Sequence, residues 1–385
     1  MDPKNFRSQA AGRAILAPNG FWTFIPNPLP PDISWTLPLV SALSEAERDL
    51  SRMNALSGTF PFPRLLIQPF IRNEAVISSR IEGTHASLID LYTYETAQLS
   101  FFEQTDDVRE VYNYVRAMDY GLERLKTLPV SLRLILELHE KLTENVRGGT
   151  LTPGEFRRSQ NWIGPAGSTP SSAPYVPPPV DEMHRALDAM EKFMHADTQI
   201  PPLARAGMIH YQFEAIHPFL DGNGRVGRLL ILLLLCEWGL LPQPLLNLSA
   251  YFENYRQEYY DHLLAISQKG DWETWLGFFV RGVSEQARNG VVRMERLQAI
   301  RMEYQPIVDT DRNRTRMSAV VDFLFSRPIL SVRQVSDGLG IPFKTAQDYL
   351  SKLVRAGVLS EITGYARNRI FQSDEILKAV QEKVN

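Results

Sequence analysis

One cysteine, Cys236, stands among 385 residues, which excludes an internal disulfide and leaves that thiol the role of a small packed hydrophobe. Long apolar runs are missing too. The longest, Leu229 to Cys236, is far below the ~20 residues a membrane-spanning helix needs. The opening Met-Asp-Pro-Lys-Asn has no apolar signal region, so a cytoplasmic protein without membrane contact is expected. Charge of one sign is also absent: 41 basic side chains face 44 acidic ones, too even a balance to draw nucleic acid or membrane by overall field. Period-two alternation is scarce outside residues 155–179 until near residue 357, and neither an internal repeat nor a long low-complexity segment occurs. These absences leave a mainly α protein, long enough for two or three domains.

What the chain does have is concentrated in His217-Pro218-Phe219-Leu220-Asp221-Gly222-Asn223-Gly224-Arg225-Val226-Gly227-Arg228, followed at once by the apolar run. Glycines on both sides of Asn223 let backbone N–H groups turn toward an anion. A helix starting there points its positive end at the same place. Arg225 and Arg228, three apart, fall in its first turn and can grip phosphate oxygens. Asp221 stands where a carboxylate would hold a divalent cation bridging phosphates. His217 has an ordinary pKa near neutral and can take a proton from an incoming hydroxyl. Phe219 fits the role of an anchor in the core.

At all of its specified positions this stretch resembles the Fic-domain signature, His-x-Phe-x-(Asp/Glu)-Gly-Asn-Gly-Arg-x-x-Arg. The resemblance implies a Fic-type helical bundle with a small β-hairpin flap. It also implies transfer of AMP from ATP to a Ser, Thr or Tyr hydroxyl of a target protein, or of the chain itself. His217 is then the base, Asp221 the Mg²⁺ ligand, and Gly222, Asn223, Gly224, Arg225, Gly227 and Arg228 the nucleotide site, with the Asn223 side chain as an extra donor.

Three further segments join that expectation. Ser78-Ser79-Arg80-Ile81-Glu82-Gly83 looks like the family's inhibitory signature, with Ser78 and Glu82 one helical turn apart and Gly83 suited to a helix end. In the family this glutamate pairs with the last arginine of the signature, here Arg228. Residues 155–164 alternate, and with the return at Tyr175-Val176-Pro177-Pro178 they resemble the flap on which a target docks by strand addition. Asn161, Trp162, Ile163 and Gly164 are placed with the nucleotide site. Tyr259 and Tyr260 resemble the pair that packs on adenine.

The domain reading is an N-terminal arm and helical region with the inhibitory helix (1–104), a Fic core (105–305), a polar linker (306–316) and a C-terminal domain (317–385). The first forty residues read as an extended arm without a clean period. Candidate helices are 44–56, 62–82, 86–98, 105–125, 131–146, 181–195, 202–216, 222–238, 251–268 and 271–304. Thr105 is expected to cap one of them and Gly148-Gly149 to stop another. The C-terminal pattern resembles a winged helix-turn-helix with its wing at 359–372. Residues 311–385 carry 12 basic and 8 acidic side chains, a net of +4 against −7 elsewhere. Lys344, Thr345, Gln347, Lys352, Arg367 and Arg369 stand where DNA contacts would fall. A protein partner or dimerisation fits that module equally, and a homodimer is expected. The alternatives to a self-inhibited adenylyltransferase are a nucleotide-sensing DNA-binding regulator and a metal-dependent hydrolase built on His210, Glu214 and His217. His139 is assigned to packing.

Overall fold

Helices dominate the chain, as the scarcity of alternation requires. The computed structural model describes residues 1–59, 63–97, 106–146, 152–364 and 368–382. The expected cap at Thr105, the stop at Gly148-Gly149 and the wing residue Arg367 fall outside these. In chain order the elements are β1 (Gly12–Leu16), β2 (Trp22–Pro26), α1 (Leu37–Thr59), α2 (Pro63–Ile81), α3 (Leu88–Ala97), α4 (Asp106–Arg124), α5 (Leu132–Leu142) and α6 (Val180–Met194). They continue with α7 (Pro202–Ile216), α8 (Asn223–Glu237), α9 (Leu248–Asn254), α10 (Arg256–Lys269), α11 (Trp272–Glu303), α12 (Gln305–Thr310) and α13 (Arg314–Ser326). The chain ends with β3 (Ile329–Ser331), α14 (Val332–Leu339), α15 (Phe343–Arg355), β4 (Ser360–Glu361), β5 (Ile370–Gln372) and α16 (Asp374–Gln381). Among the described residues no helix is long and apolar enough to cross a membrane.

Two compact units result. The first takes Met1–Leu50, Asn113–Pro242 and Leu248–Glu285. Its axis is α8, where every residue from Leu229 to Leu235 is buried, so this helix has no solvent face. Helix α7 is buried almost as fully and packs along α8, with α5, α6 and α10 around the pair. A Cβ on Gly227 would lie 2.4 Å from Glu214 Oε1 and 3.2 Å from the Phe213 ring, so α7 and α8 approach closely there and a larger residue would have to displace the Glu214 carboxylate. Residues 1–40, expected as a featureless arm, contain the antiparallel hairpin β1–β2, paired from Gly12 with Pro26 to Leu16 with Trp22. The Phe24 N–H extends it onto the Val176 carbonyl at 2.9 Å.

The second unit takes Ser51–Tyr112, Gln243–Asn247 and Gln286–Asn385. Helix α2 packs on α13 and α16, and α3 on β3. The three short strands form an antiparallel sheet in the order β3-β5-β4. Arg72 of α2 makes a buried two-pronged pair with Glu95 of α3 at 2.8 and 3.0 Å, and Arg327, just past α13, approaches the same carboxylate at 3.6 Å. The polar stretch 306–316, read as a linker, is largely helical: it carries most of α12 and the start of α13, which Asn313 caps through its side chain.

Candidate functional site

The site is built where α7 stops and α8 starts. Pro218 cannot continue a helix, and α7 ends on His217 in the left-handed region (φ 48°, ψ 63°). The His217 N–H still caps the helix on the Phe213 carbonyl at 3.0 Å. Its ring Nδ1 lies 3.3 Å from the Glu214 carbonyl. A carbonyl only accepts, so Nδ1 carries the hydrogen and Nε2 is the basic nitrogen. That is the tautomer a proton-accepting histidine needs.

The loop that follows is held from several sides. Phe219 is buried. The Asn223 side chain accepts from the Phe219 N–H at 2.9 Å and donates to the Phe219 carbonyl at 2.8 Å. Expected as an extra phosphate donor, this amide instead braces the loop. Gly222, left-handed at φ 78°, caps α8. Arg225 and Arg228 are 2% exposed, so any anion they meet does so with little water between. Asp221 is nearly half exposed, accepts from the Gly222 N–H at 2.7 Å and lies 3.7 Å from the Arg225 guanidinium. One accessible carboxylate beside a helix N-terminus fits the habit of Mg²⁺, which takes one or two carboxylates and completes its shell with water and substrate phosphates. Among the described residues no group of three potential ligands gathers, so His210, Glu214 and His217 form no zinc triad.

His139, assigned to packing, does more than pack. It is buried and stacked on Phe219 with ring centroids 3.8 Å apart. The Gly154 N–H donates to its Nδ1 at 3.0 Å, so its Nε2–H donates to the Asp221 carbonyl at 3.1 Å. Burial pushes this imidazole down to about 4, which keeps it neutral in that bridging form. A lone histidine on an apolar helix face carries no sequence signal for such a bridge. Arg157 was also missed. It is fully buried, and its Nε donates to the His217 carbonyl at 3.0 Å.

The flap is less regular than its alternation predicts. Instead of two strands it has one antiparallel bridge, Ile163 with Tyr175, because Pro177, Pro178 and Pro179 have no N–H to continue a ladder. Trp162 and Ile163 are exposed, and the Trp162 indole donates to the Ser168 carbonyl at 2.9 Å. A Cβ on Gly164 would strike Ser168. Asn161, expected with the nucleotide, donates instead to the carbonyls of His217 at 3.1 Å and Phe219 at 2.8 Å. Tyr259 is buried, stacked on Phe252 at 4.5 Å, with its hydroxyl 2.8 Å from His210 Nε2, so it belongs to the core rather than to an open adenine face. Burial holds His210 neutral, pushing it down to about 3, with nearby Arg228 adding to the effect. Tyr260 is 39% exposed, with the Arg256 guanidinium 5.9 Å from its ring centroid. Cys236 is inert as expected, its thiol pushed up to about 12 by burial.

In the second unit, Ser78 is buried near the end of α2, while Glu82 and Gly83 follow it in an exposed turn. On the C-terminal module, Lys352 pairs with Asp311 and Arg369 lies over the Phe371 ring. Phe343, at the start of α15, is 55% exposed.

Residues 40–123 match the family model described as Fic/DOC family N-terminal, and residues 129–235 match that described as Fic/DOC family. Protein adenylyltransferase Fic of Drosophila grimshawi is 29% identical over 202 residues, 51% of this chain and 38% of that protein. Its Drosophila yakuba counterpart is 28% identical over the same length, 37% of that protein. The chain thus spans well under half the length of these curated relatives. Among solved structures, a Fic family protein from Desulfovibrio desulfuricans G20 shares the fold at TM-score 0.58 and 19% identity, over 93% of this chain and 100% of that one. Fic-1 from C. elegans does so at TM-score 0.51 and 22% identity, over 69% and 75%. The chain thus carries the Fic/DOC family N-terminal and Fic/DOC family domains in order, over residues 40–123 and 129–235, and shares its fold with a Fic family protein over nearly its whole length.

Proposed function

We propose that this chain is a protein adenylyltransferase. The observation that carries the reading is His217, held with Nε2 as its basic nitrogen directly ahead of a helix N-terminus that bears two buried arginines. The name shared by its curated relatives, protein adenylyltransferase, points the same way. A target hydroxyl gives its proton to His217 Nε2 while its oxygen attacks the α-phosphorus of ATP. The bond from that phosphorus to the oxygen bridging it to the β-phosphate breaks, and pyrophosphate leaves. Arg225 and Arg228 offset the charge gathering on the leaving group, and the first N–H groups of α8 hold phosphate oxygens. Asp221 would hold Mg²⁺, which supplies further charge compensation on the phosphates when bound. The flap would present the target's backbone, with Tyr260 alone of its pair on the adenine. Replacing His217 with Ala should abolish transfer of label from ATP to protein in lysate while ATP still binds. Near wild-type transfer by that variant would end the base assignment.

The same reading makes the chain self-inhibited. Glu82, with Ser78 and Gly83, would engage Arg228 and hold ATP in an unproductive pose. Support comes from the six-residue pattern at the end of α2. The C-terminal module is read as a winged helix from its order α13-β3-α14-α15-β4-β5. We assign it to a protein partner or a second copy of the chain rather than to DNA, because Lys352 is already paired with Asp311, Arg369 lies over the Phe371 ring, and Phe343 is exposed at the start of α15.

A further inference from the structure

A residue other than glycine keeps a left-handed backbone only where its surroundings over-determine it, and His217 is such a residue. Its carbonyl accepts from two side chains at once, Arg157 Nε at 3.0 Å and Asn161 Nδ2 at 3.1 Å. The next two carbonyls are held from the same segment. The Arg157 N–H donates to Pro218 O at 2.9 Å, and Asn161 Nδ2 donates also to Phe219 O at 2.8 Å. The rest of the Arg157 guanidinium donates to the carbonyls of Ser159 at 3.1 Å and Pro178 at 2.5 Å. A fully buried cation solvated by backbone carbonyls is an expensive device for a flap root alone. Its acceptors include the one backbone unit whose conformation sets the ring of His217.

We propose that Arg157 and Asn161 are positioning residues for His217, pinning its carbonyl so that Nδ1–H stays on the Glu214 carbonyl and Nε2 stays the base. The inference rests on His217 being that base, as proposed above. Both side chains spend their donors on backbone carbonyls. Without the pin the backbone relaxes toward an ordinary region, the Nδ1–H contact to Glu214 opens, and the ring proton distributes over both nitrogens. Part of the population then has a hydrogen on Nε2 and cannot accept the proton of the hydroxyl.

The test uses the full chain as wild type, Asn161→Ala, Arg157→Lys and His217→Ala. ATP affinity, kcat and KM are measured. The tautomer is read from the imidazole ¹⁵N resonances, with His217→Ala identifying the signals. Asn161→Ala should bind ATP as wild type does, keep its KM for ATP and lose about 10²-fold in kcat. The His217 ring signals should move from a fixed Nδ1–H form toward averaged values. Arg157→Lys should do the same, and where it fails to fold Asn161→Ala decides alone. A folded Asn161→Ala with unchanged kcat and ring signals overturns the proposal. So does weakened ATP binding with kcat intact, which would return Asn161 to the nucleotide site. If His217→Ala itself still transfers, the base reading fails independently. The ring signals then decide the positioning contact: moved, it stands; unmoved, it falls.

Discussion

Two helix ends carry the chemistry proposed above, and they are built in opposite ways. Helix α7 ends on left-handed His217, whose carbonyl has two side-chain donors and whose ring nitrogen has a backbone acceptor. Helix α2 ends one residue before Glu82, followed by left-handed Gly83 (φ 99°) in an exposed turn. A Cβ built on Gly83 meets nothing within 4 Å. Short-range backbone bonds close the turn: Glu82 N–H to Ser79 O and Gly83 N–H to Arg80 O, each at 3.0 Å, and Thr84 N–H to Ser79 O at 3.2 Å. A base must stay in one geometry through every turnover, so its helix end is caged. An inhibitory carboxylate must be able to leave, and an open turn permits that without disturbing the core. Local stability differs with function in this way, low where an element has to move.

The largest effect should come from the caged end. Asp221→Ala removes the accessible carboxylate of the loop, the one beside the Arg225 guanidinium at the start of α8. We expect transfer to fall about 10²- to 10³-fold, the size of losing one well-placed electrostatic contact to a developing charge. The residual rate should no longer respond to Mg²⁺ or to chelator. Titration of initial rates with Mg²⁺ settles it; a variant with the wild-type Mg²⁺ response removes Asp221 from the site.

The open end should respond in the other direction. In Glu82→Gly the proposed partner of Arg228 is gone, and ATP is free to settle with its α-phosphate in line. A one-sided loss of such a pair can be worth several kcal/mol, part of which goes to rehydration. A net of roughly 1.4–3 kcal/mol raises transfer about 10- to 150-fold. Auto-modification, read by label incorporated into the chain itself, should rise in parallel. Arg228→Ala should stay inactive with or without Glu82→Gly. An unchanged rate in Glu82→Gly, with ATP bound as in wild type, leaves residues 78–83 as an ordinary helix end.

The two ends also differ in how far the sequence reveals them. The α7–α8 junction was legible to within a residue because Pro202 starts one helix, Pro218 stops it and the glycines start the next. The helical body and the buried Leu229–Leu235 axis follow from the same patterning. What escaped depends on which face of an element meets which neighbour. Tyr259 and Tyr260 are adjacent, and only packing against Phe252 and His210 makes the first a core residue and leaves the second exposed. Arg157 and Arg158 are adjacent as well, yet Arg157 is sealed among carbonyls while Arg158 pairs with Glu155 at the surface. The β1–β2 hairpin had a local signal in Asn19-Gly20 that the surrounding prolines and aromatics obscured. At the flap the opposite error arose: alternation in residues 155–164 suggested a strand, and the prolines of the return limit pairing to one bridge.

The smallest expected effect sharpens the contrast most, because it changes backbone freedom and no charge. Gly83→Ala and Gly222→Ala place a methyl on a left-handed residue in the open and the caged end respectively (φ 99° and 78°). Neither methyl clashes: Gly83 has open space, and at Gly222 the nearest atom is the His139 ring at 3.6 Å. Each should therefore cost only the conformational penalty, about 1–2 kcal/mol, read as a similar loss of stability in denaturant. Their activities should diverge. At the caged end the strain falls on the loop carrying Asp221, between the base and the first turn of α8, so transfer should drop about fivefold for each kcal/mol that reaches it. At the open end the strain loosens the turn that presents Glu82, so transfer should rise by about the same factor, well short of Glu82→Gly. Initial rates beside unfolding curves for both variants give the answer. Equal stability loss with activity moving in opposite directions identifies one end as the fixed part of the machine and the other as its brake. A fall in both makes the end of α2 merely structural.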